Sequence, residues 1–344
     1  MPRIQKDPTT TKHISKKGKS KRDLAFRSLD WEAICERVQT TTPTEPGIYP
    51  NLDFETYTRI DALNASFINT CIIHSPRKAR FSALPEDAPY FRLGHLVHDK
   101  HEAKRGLDEN AIANKYVVVP EAQLVRQVGN DPKTNQRYKS PKATRHYKAL
   151  KEHFLEKHPG KIAVSDEWMK IADSALRDLN RNMTKEMQGG IPELTLVWKY
   201  KYNLYKARLD WLFPSGIIDL KTTKFPLQYF DLAKFGYHRQ AGHYFRGYRY
   251  AYNQSNRQTQ FLFPRPDSIK KFWFAVLDVT MTPSTCIFAP ISDQALQTAY
   301  AELDIAYALI HRCKEQRRWP GVPSPTQFNL PPHYKEFTHD PYVS

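Results

Sequence analysis

Two periods of apolar residues run along this chain, and they divide it into strands and helices. Leu194, Leu196 and Trp198 alternate with other residues, as do Leu209, Trp211 and Phe213. Pro214-Ser215-Gly216 then breaks the run before Ile217-Ile218, so the stretch from Ala207 to Lys221 predicts two strands joined by a tight turn. Phe272 to Val279 and Cys286 to Ile291 read as two further strands around a Thr282-Pro283-Ser284 turn, and Tyr116 to Pro120 as a short one. The longer spacing marks the helices. Leu93, Leu96 and Val97 share one face of a segment from Phe91 to Lys104, with Gly94 allowing close packing. Ser165 caps a helix carrying Trp168, Ala172, Ala175, Leu176, Leu179 and Met183, with Gly189-Gly190 as its stop. Another helix starts at Tyr237 after an interruption at Phe235-Gly236, and Ser292 caps the last, through Ala295, Ala299, Leu303, Ala306 and Ile310. Nearer the start, Asn64 or Ser66 can cap a helix burying Phe67, Cys71 and Ile72 and halted by Ser75-Pro76; Leu29 to Val38 reads as a short helix, and Thr40 to Pro50 as a loop.

With 344 residues, 40% of them hydrophobic, the chain can bury a large core. No apolar run approaches a membrane span and no secretory signal opens the sequence, so the expectation is a cytoplasmic protein. Cys35, Cys71, Cys286 and Cys313 have no paired close spacing and read as reduced core thiols. A net charge of +16 favours a polyanionic partner. The surplus is concentrated in residues 1–27, with nine Lys or Arg, and in residues 130–151, with seven. In the second segment Arg137, Tyr138, Lys139, Lys142, Arg145 and Tyr147 interleave cations with aromatics, as phosphate contact and base stacking require, although a solvated loop has the same composition. The expected organisation is a flexible basic arm over 1–24, one domain over 25–322 and a Pro-rich tail over 323–344.

The chemistry concentrates at the end of the strand pair. Residues two apart on a strand share a face, so Asp219 and Lys221 point one way and Leu220 into the core, while an antiparallel partner brings Asp210 opposite them. Two hard oxygen ligands suit Mg2+ or Mn2+, and a lysine beside them completes a site for phosphodiester chemistry. An acid two residues before Lys also occurs at Glu102 and Asp131, so a surface ion pair stands as the plain alternative. Glu193, at the edge of the preceding strand, can face the same site. His95, His98 and His101 recur every three residues but lack the companions of a zinc site; His98 fits better as one ligand of a mixed His and carboxylate set. Gln240 and Tyr244 share a helix face, Tyr244 being either core or site, and the same helix presents Arg239, Arg246 and Arg249.

Taken in order, G-H-L-V-H at 94–98, A-R-L-D-W-L at 207–212, I-I-D-L-K-T-T at 217–223, Y-H-R-Q-A-G-H-Y at 237–244 and W-P-G at 319–321 resemble the PD-(D/E)XK nucleases of the exonuclease VIII (RecE) type. The resemblance spans about residues 60 to 321. It implies an α/β restriction-endonuclease-like core, a central mixed sheet flanked by helices. It further implies that His98, Asp210 and Asp219 bind one or two Mg2+ or Mn2+ ions, with the Leu220 carbonyl as a further ligand. Lys221 would be the catalytic lysine, Gln240 and Tyr244 would contact the DNA strand or position that lysine, and Glu193 would join the site. The activity implied is an exodeoxyribonuclease that degrades linear double-stranded DNA from the 5′ strand and leaves 3′ tails for recombination. Short versions of this type occur in phages or prophages beside a single-strand annealing protein, and a homo-oligomer is expected. A non-catalytic DNA-binding scaffold and an endonuclease of the same fold remain the alternatives. Some relatives hold an iron–sulfur cluster with four cysteines, three of them close together; the wide spacing of Cys286 and Cys313 predicts no cluster here.

Overall fold

The computed structural model describes residues 42–50, 52–82, 89–105, 110–224, 234–280 and 282–322. The predicted arm and tail and the helix predicted at Leu29 to Val38 lie outside them. A six-stranded mixed sheet forms the centre, in the order β1 (Gly47–Tyr49), β4 (Ile191–Tyr200), β5 (Asn203–Phe213), β6 (Gly216–Thr223), β7 (Lys271–Asp278), β8 (Cys286–Pro290). Only β6 and β7 pair in parallel; the other neighbours are antiparallel. A separate parallel pair joins β2 (Tyr116–Val119) to β3 (Ile162–Ser165). Among the described residues five helices have twelve or more residues: α1 (Pro89–Arg105), α2 (Arg145–Glu156), α3 (Asp166–Asn182), α4 (Tyr237–Gln254) and α5 (Asp293–Glu315). No helix there is long and apolar enough to cross a membrane.

The sheet separates two cores. On one face Leu194, Leu196, Trp198, Ala207, Leu209, Leu212 and Ile217 meet α4 and α5. On the other, Trp211, Phe213, Ile218 and Leu220 meet Leu93, Leu96 and Val97 of α1 and Ala172, Ala175, Leu176 and Leu179 of α3. These helices bury the faces their periodicity predicted. The expected caps are in place: the side chains of Asn64, Ser165 and Ser292 accept from the amides of Phe67, Trp168 and Ala295. Gly94 is where α1 lies against β6, since a Cβ there would sit 3.0 Å from Thr222 Oγ1. Gly236 starts α4 from a left-handed φ of 66°, which a side chain rarely adopts.

Several local expectations need correction. The loop predicted over Thr40 to Pro50 ends in β1, because Gly47 to Tyr49 pairs with the edge of β4. Ser75 halts one helix but caps the next, Pro76–Phe81, and α3 stops at Asn182, where Thr184 caps another short helix before Gly189. In the basic segment Tyr147 is buried with Val119, Leu124 and Val128, and Tyr138 packs against them. Those aromatics supply the core of a small lobe instead of open stacking faces, and Lys142 is paired with Glu121. Of the arginines on α4, Arg239 bonds Asn69 and Glu302, and Arg246 bonds Asp304 beneath three tyrosine rings. Only Arg249 is exposed, 3.9 Å from Asp267.

Candidate metal centre between the central strands

The strict alternation expected for Leu209, Trp211 and Phe213 fails at one residue, Asp210. Leu209 belongs to the core under α4, whereas Trp211 and Phe213 belong to the core under α1 and α3. The neighbouring strands are irregular at the same level. On β4, Pro192 pairs with Trp211 and Leu194 with Leu209, and Glu193 between them has a left-handed φ of 48°. On β6, the ladder ends at Ile218 opposite Trp211. The Asp210 carboxylate takes over from the backbone there: its Oδ2 accepts from the Leu220 amide at 2.6 Å. The distortion thus puts Glu193, Asp210 and Asp219 in a row across three adjacent strands. Irregular pairing of this kind re-aims side chains.

His98 arrives from α1, its Nδ1 3.9 Å from Asp210 Oδ1. One ligand atom each from His98, Glu193 and Asp210 can be chosen so that all three lie within 4.8 Å of one another. One nitrogen and two carboxylate oxygens within that span suit a divalent cation of the Mg2+ or Mn2+ class. The imidazole is in the right state to ligate. Although 31% of the side chain reaches solvent, the protein around the cleft and the Lys221 ammonium lower its pKa to about 4, so it is neutral at physiological pH.

The carboxylates are strained electrostatically. Burial raises the pKa of Asp210, against the opposing pull of Lys221 and the Leu220 amide. Burial likewise lifts Asp219 to about 6, despite Lys221 beside it. Glu193 is raised by burial, with Asp210 and Glu102 adding to the effect and Arg208 opposing it. Crowded acids that resist ionisation are what a bound cation would relieve, and the donor set fits one.

Asp219 lies outside the three-donor group. It is fully buried; its Oδ1 accepts from Gln240 Nε2 at 3.1 Å and its Oδ2 lies 2.6 Å from Lys221 Nζ. That second contact is a close ion pair without the alignment of a hydrogen bond. Burial alone would lower the Lys221 pKa, but Asp219 and Asp210 outweigh it, so the lysine stays charged. Its ammonium also sits 4.7 Å from the Tyr237 ring centroid. Asp219 and Lys221 share a side as expected, and Leu220 is buried behind them with its amide given to Asp210.

Gln240 therefore reaches Asp219 and not Lys221. The same amide nitrogen lies 2.8 Å from the Tyr244 hydroxyl. Tyr244 is buried against Phe272, so the expectation that it touches a nucleic-acid strand gives way to support of Gln240 from the core. His95 is exposed and His101 is buried beside the Trp211 ring, so the three histidines of α1 do not converge.

Two residues of this site escaped the sequence reading. Arg208 donates through Nε to Glu193 at 2.5 Å, through Nη1 to the Leu52 carbonyl at 2.6 Å and through Nη2 to Glu102 at 3.3 Å. It holds Glu193 in place and offsets the crowded charge. The signals were present: Arg208 is two residues before Asp210, and Glu102 follows His98 by one helical turn.

A family model described as "PDDEXK-like domain of unknown function (DUF3799)" matches residues 82–324. No curated protein matches the chain. Among solved structures, one named "Putative exonuclease", from Eubacterium rectale, is similar at 14% identity, covering 79% of this chain and 90% of that one, with a TM-score of 0.48.

Proposed function

Because the chain belongs to the PDDEXK-like family and has its restriction-endonuclease-like core, we propose that it is a metal-dependent nuclease that degrades linear duplex DNA from its ends. The observation that carries this reading is the row Glu193, Asp210, Asp219 across β4, β5 and β6, with His98 above it and Lys221 beside it. His98, Glu193 and Asp210 would hold the cation, with Asp219 and the Leu220 carbonyl as further oxygen donors. A divalent ion in this place supplies neutralisation of phosphate charge and a more acidic water.

The protein's own groups do the rest. Lys221 is a compact cation that the acid row keeps protonated, suited to steadying charge on a phosphate oxygen or holding the attacking water by hydrogen bonds. Gln240 fixes the rotamer of Asp219, and Arg208 fixes that of Glu193. The net charge of +16 favours phosphate-dominated binding, which reads little sequence. The finer reading is attack on the 5′ strand, leaving 3′ tails for a recombination partner that anneals single strands. It rests on the motif resemblance.

The test compares linear, nicked circular and covalently closed circular duplex with and without Mg2+ or Mn2+. Linear duplex should be consumed only with metal, and closed circles should survive. Asp219→Asn and Lys221→Ala should each lower the rate roughly 10²–10⁴-fold while DNA binding persists. Equal digestion of closed circles would show an endonuclease. Binding without cleavage under every metal condition would show a non-catalytic scaffold, and strand loss from 3′ ends would reverse the polarity.

A further inference from the structure

Two exposed aromatic rings are connected to the acid row by side-chain contacts, one to each end. Phe54 opens the short helix Phe54–Arg59 and is 64% exposed. Its ring centroid lies 5.8 Å from the Arg208 guanidinium, the group that holds Glu193. At the other end Phe235 is 42% exposed and stands 5.4 Å from Tyr237, whose ring carries the Lys221 ammonium. Each ring is thus joined to one end of the carboxylate row through a cation: Phe54 through Arg208 to Glu193, and Phe235 through Tyr237 and Lys221 to Asp219. Other apolar side chains are exposed singly, which is ordinary. These two are set apart by the contacts that link them to Glu193 and Asp219.

Leaving such a ring partly in water forgoes a share of the about 1.5–3 kcal/mol that full burial is worth, and neither ring belongs to a buried core cluster. We propose that Phe54 and Phe235 are stacking platforms for unpaired bases on either side of the scissile phosphate, so that the site takes a single-stranded DNA end and not intact duplex. The inference rests on the nuclease reading above and deepens it. Stacking on an aromatic ring suits every base, because each has a π face, and so it keeps the sequence tolerance of phosphate-dominated binding. Inside a duplex both faces of a base are covered by its neighbours; free faces occur at ends, and only a frayed or overhanging end offers them on bases that can leave the helix for a protein ring. Stacking beside the acid row therefore gives end preference a local cause. Arg208 behind Phe54 adds cation–π support and keeps the platform tied to Glu193.

The test uses the protein in EDTA, without divalent metal, and oligonucleotide duplexes carrying 2-aminopurine either in a short single-stranded overhang or in the paired interior. The overhang fluorophore should be quenched on binding and the interior one should not. Phe54→Ala or Phe235→Ala should remove that quench and weaken overhang binding at least about 5-fold, given the roughly 1 kcal/mol lower bound for stacking one base. Phe54→Trp should restore both, while Phe54→Leu, which keeps apolar bulk without the π face, should not. Affinity for closed circular duplex should not change. Overhang binding and quench that survive both alanine variants, or an equal loss on overhang and interior, would overturn the inference and leave the nuclease reading standing. If the protein neither binds DNA in EDTA nor cuts it with Mg2+ or Mn2+, both fall together.

Discussion

Replacing Arg208 by Met should reveal how the site tolerates its own acids. The guanidinium is only 9% exposed and bonds Glu193, the Leu52 carbonyl and Glu102 at 2.5, 2.6 and 3.3 Å. Met fills much of the same volume but leaves the buried Glu193 carboxylate without its counter-ion and takes one cation from the partly exposed Glu102. Removing one partner of a buried pair costs about 3–5 kcal/mol, a large part of the ~5–15 kcal/mol that holds a typical domain together. Glu193→Gln should cost less, because Arg208 keeps Glu102 and the Leu52 carbonyl. The double variant Arg208→Met, Glu193→Gln should recover a good part of the loss, so the cycle should show a coupling of about 1–3 kcal/mol. Urea denaturation of the metal-free protein at pH 8, with unchanged m-values, would measure all three. The Met variant should also need more Mn2+ for activity, since Glu193 would then protonate more readily. Strict additivity, or a loss below about 1 kcal/mol for Arg208→Met, would refute this account of the clamp.

Much of this arrangement was legible in the chain because local period and tertiary demand agree. The faces Leu93, Leu96, Val97 and Leu194, Leu196, Trp198 are buried as their spacing requires, and β6 sends Asp219 and Lys221 together while Leu220 packs behind. His98 comes to lie 3.9 Å from Asp210 as α1 buries Leu93, Leu96 and Val97 against the sheet. The break at Asp210 was not legible. Leu209, Trp211 and Phe213 keep a period of two, and the apolar Leu212 between the last two does not reveal which face each takes; the switch of face coincides with the left-handed φ of Glu193 on the neighbouring strand. Nothing near Pro192-Glu193 in sequence demands that conformation; it goes with the register of β4 on β5, where Pro192 and Leu194 both pair and Glu193 between them does not. Tyr244 and Tyr147 failed in the opposite sense. Their spacing beside cations suits nucleic acid, but each was needed to close a core, and burial prevailed.

Three further outcomes follow from the same geometry. Gln240→Ala should lower kcat more than it raises KM, because it frees Asp219 without touching the surface, whereas Tyr244→Phe should cost only about 0.5–1.5 kcal/mol of stability and little rate; equal effects would break the proposed order of support. The thermal shift produced by Mg2+ or Mn2+ should be small at pH 5 and larger at pH 7–8. Asp219 has its folded pKa raised to about 6 from an unfolded value of about 4, so the folded chain holds a proton the unfolded chain has lost. Across that window the metal-free protein loses stability as pH rises, while ligation, which needs the carboxylate, gains. A shift independent of pH would count against a carboxylate centre. Finally, Glu193→Gly should be more stable than Glu193→Ala by about 1 kcal/mol. Both variants lose the same ion pair to Arg208, and within an ordinary strand glycine is the worse choice, because it gives up more chain entropy. At φ 48° the order inverts, since a Cβ in the left-handed region costs roughly 1–2 kcal/mol that glycine does not incur. Denaturation of the two metal-free variants isolates the backbone from the chemistry, and an alanine variant as stable as the glycine one would mean that the chain relaxes to an extended φ once the carboxylate is gone, making the Arg208 contact the cause of the distortion.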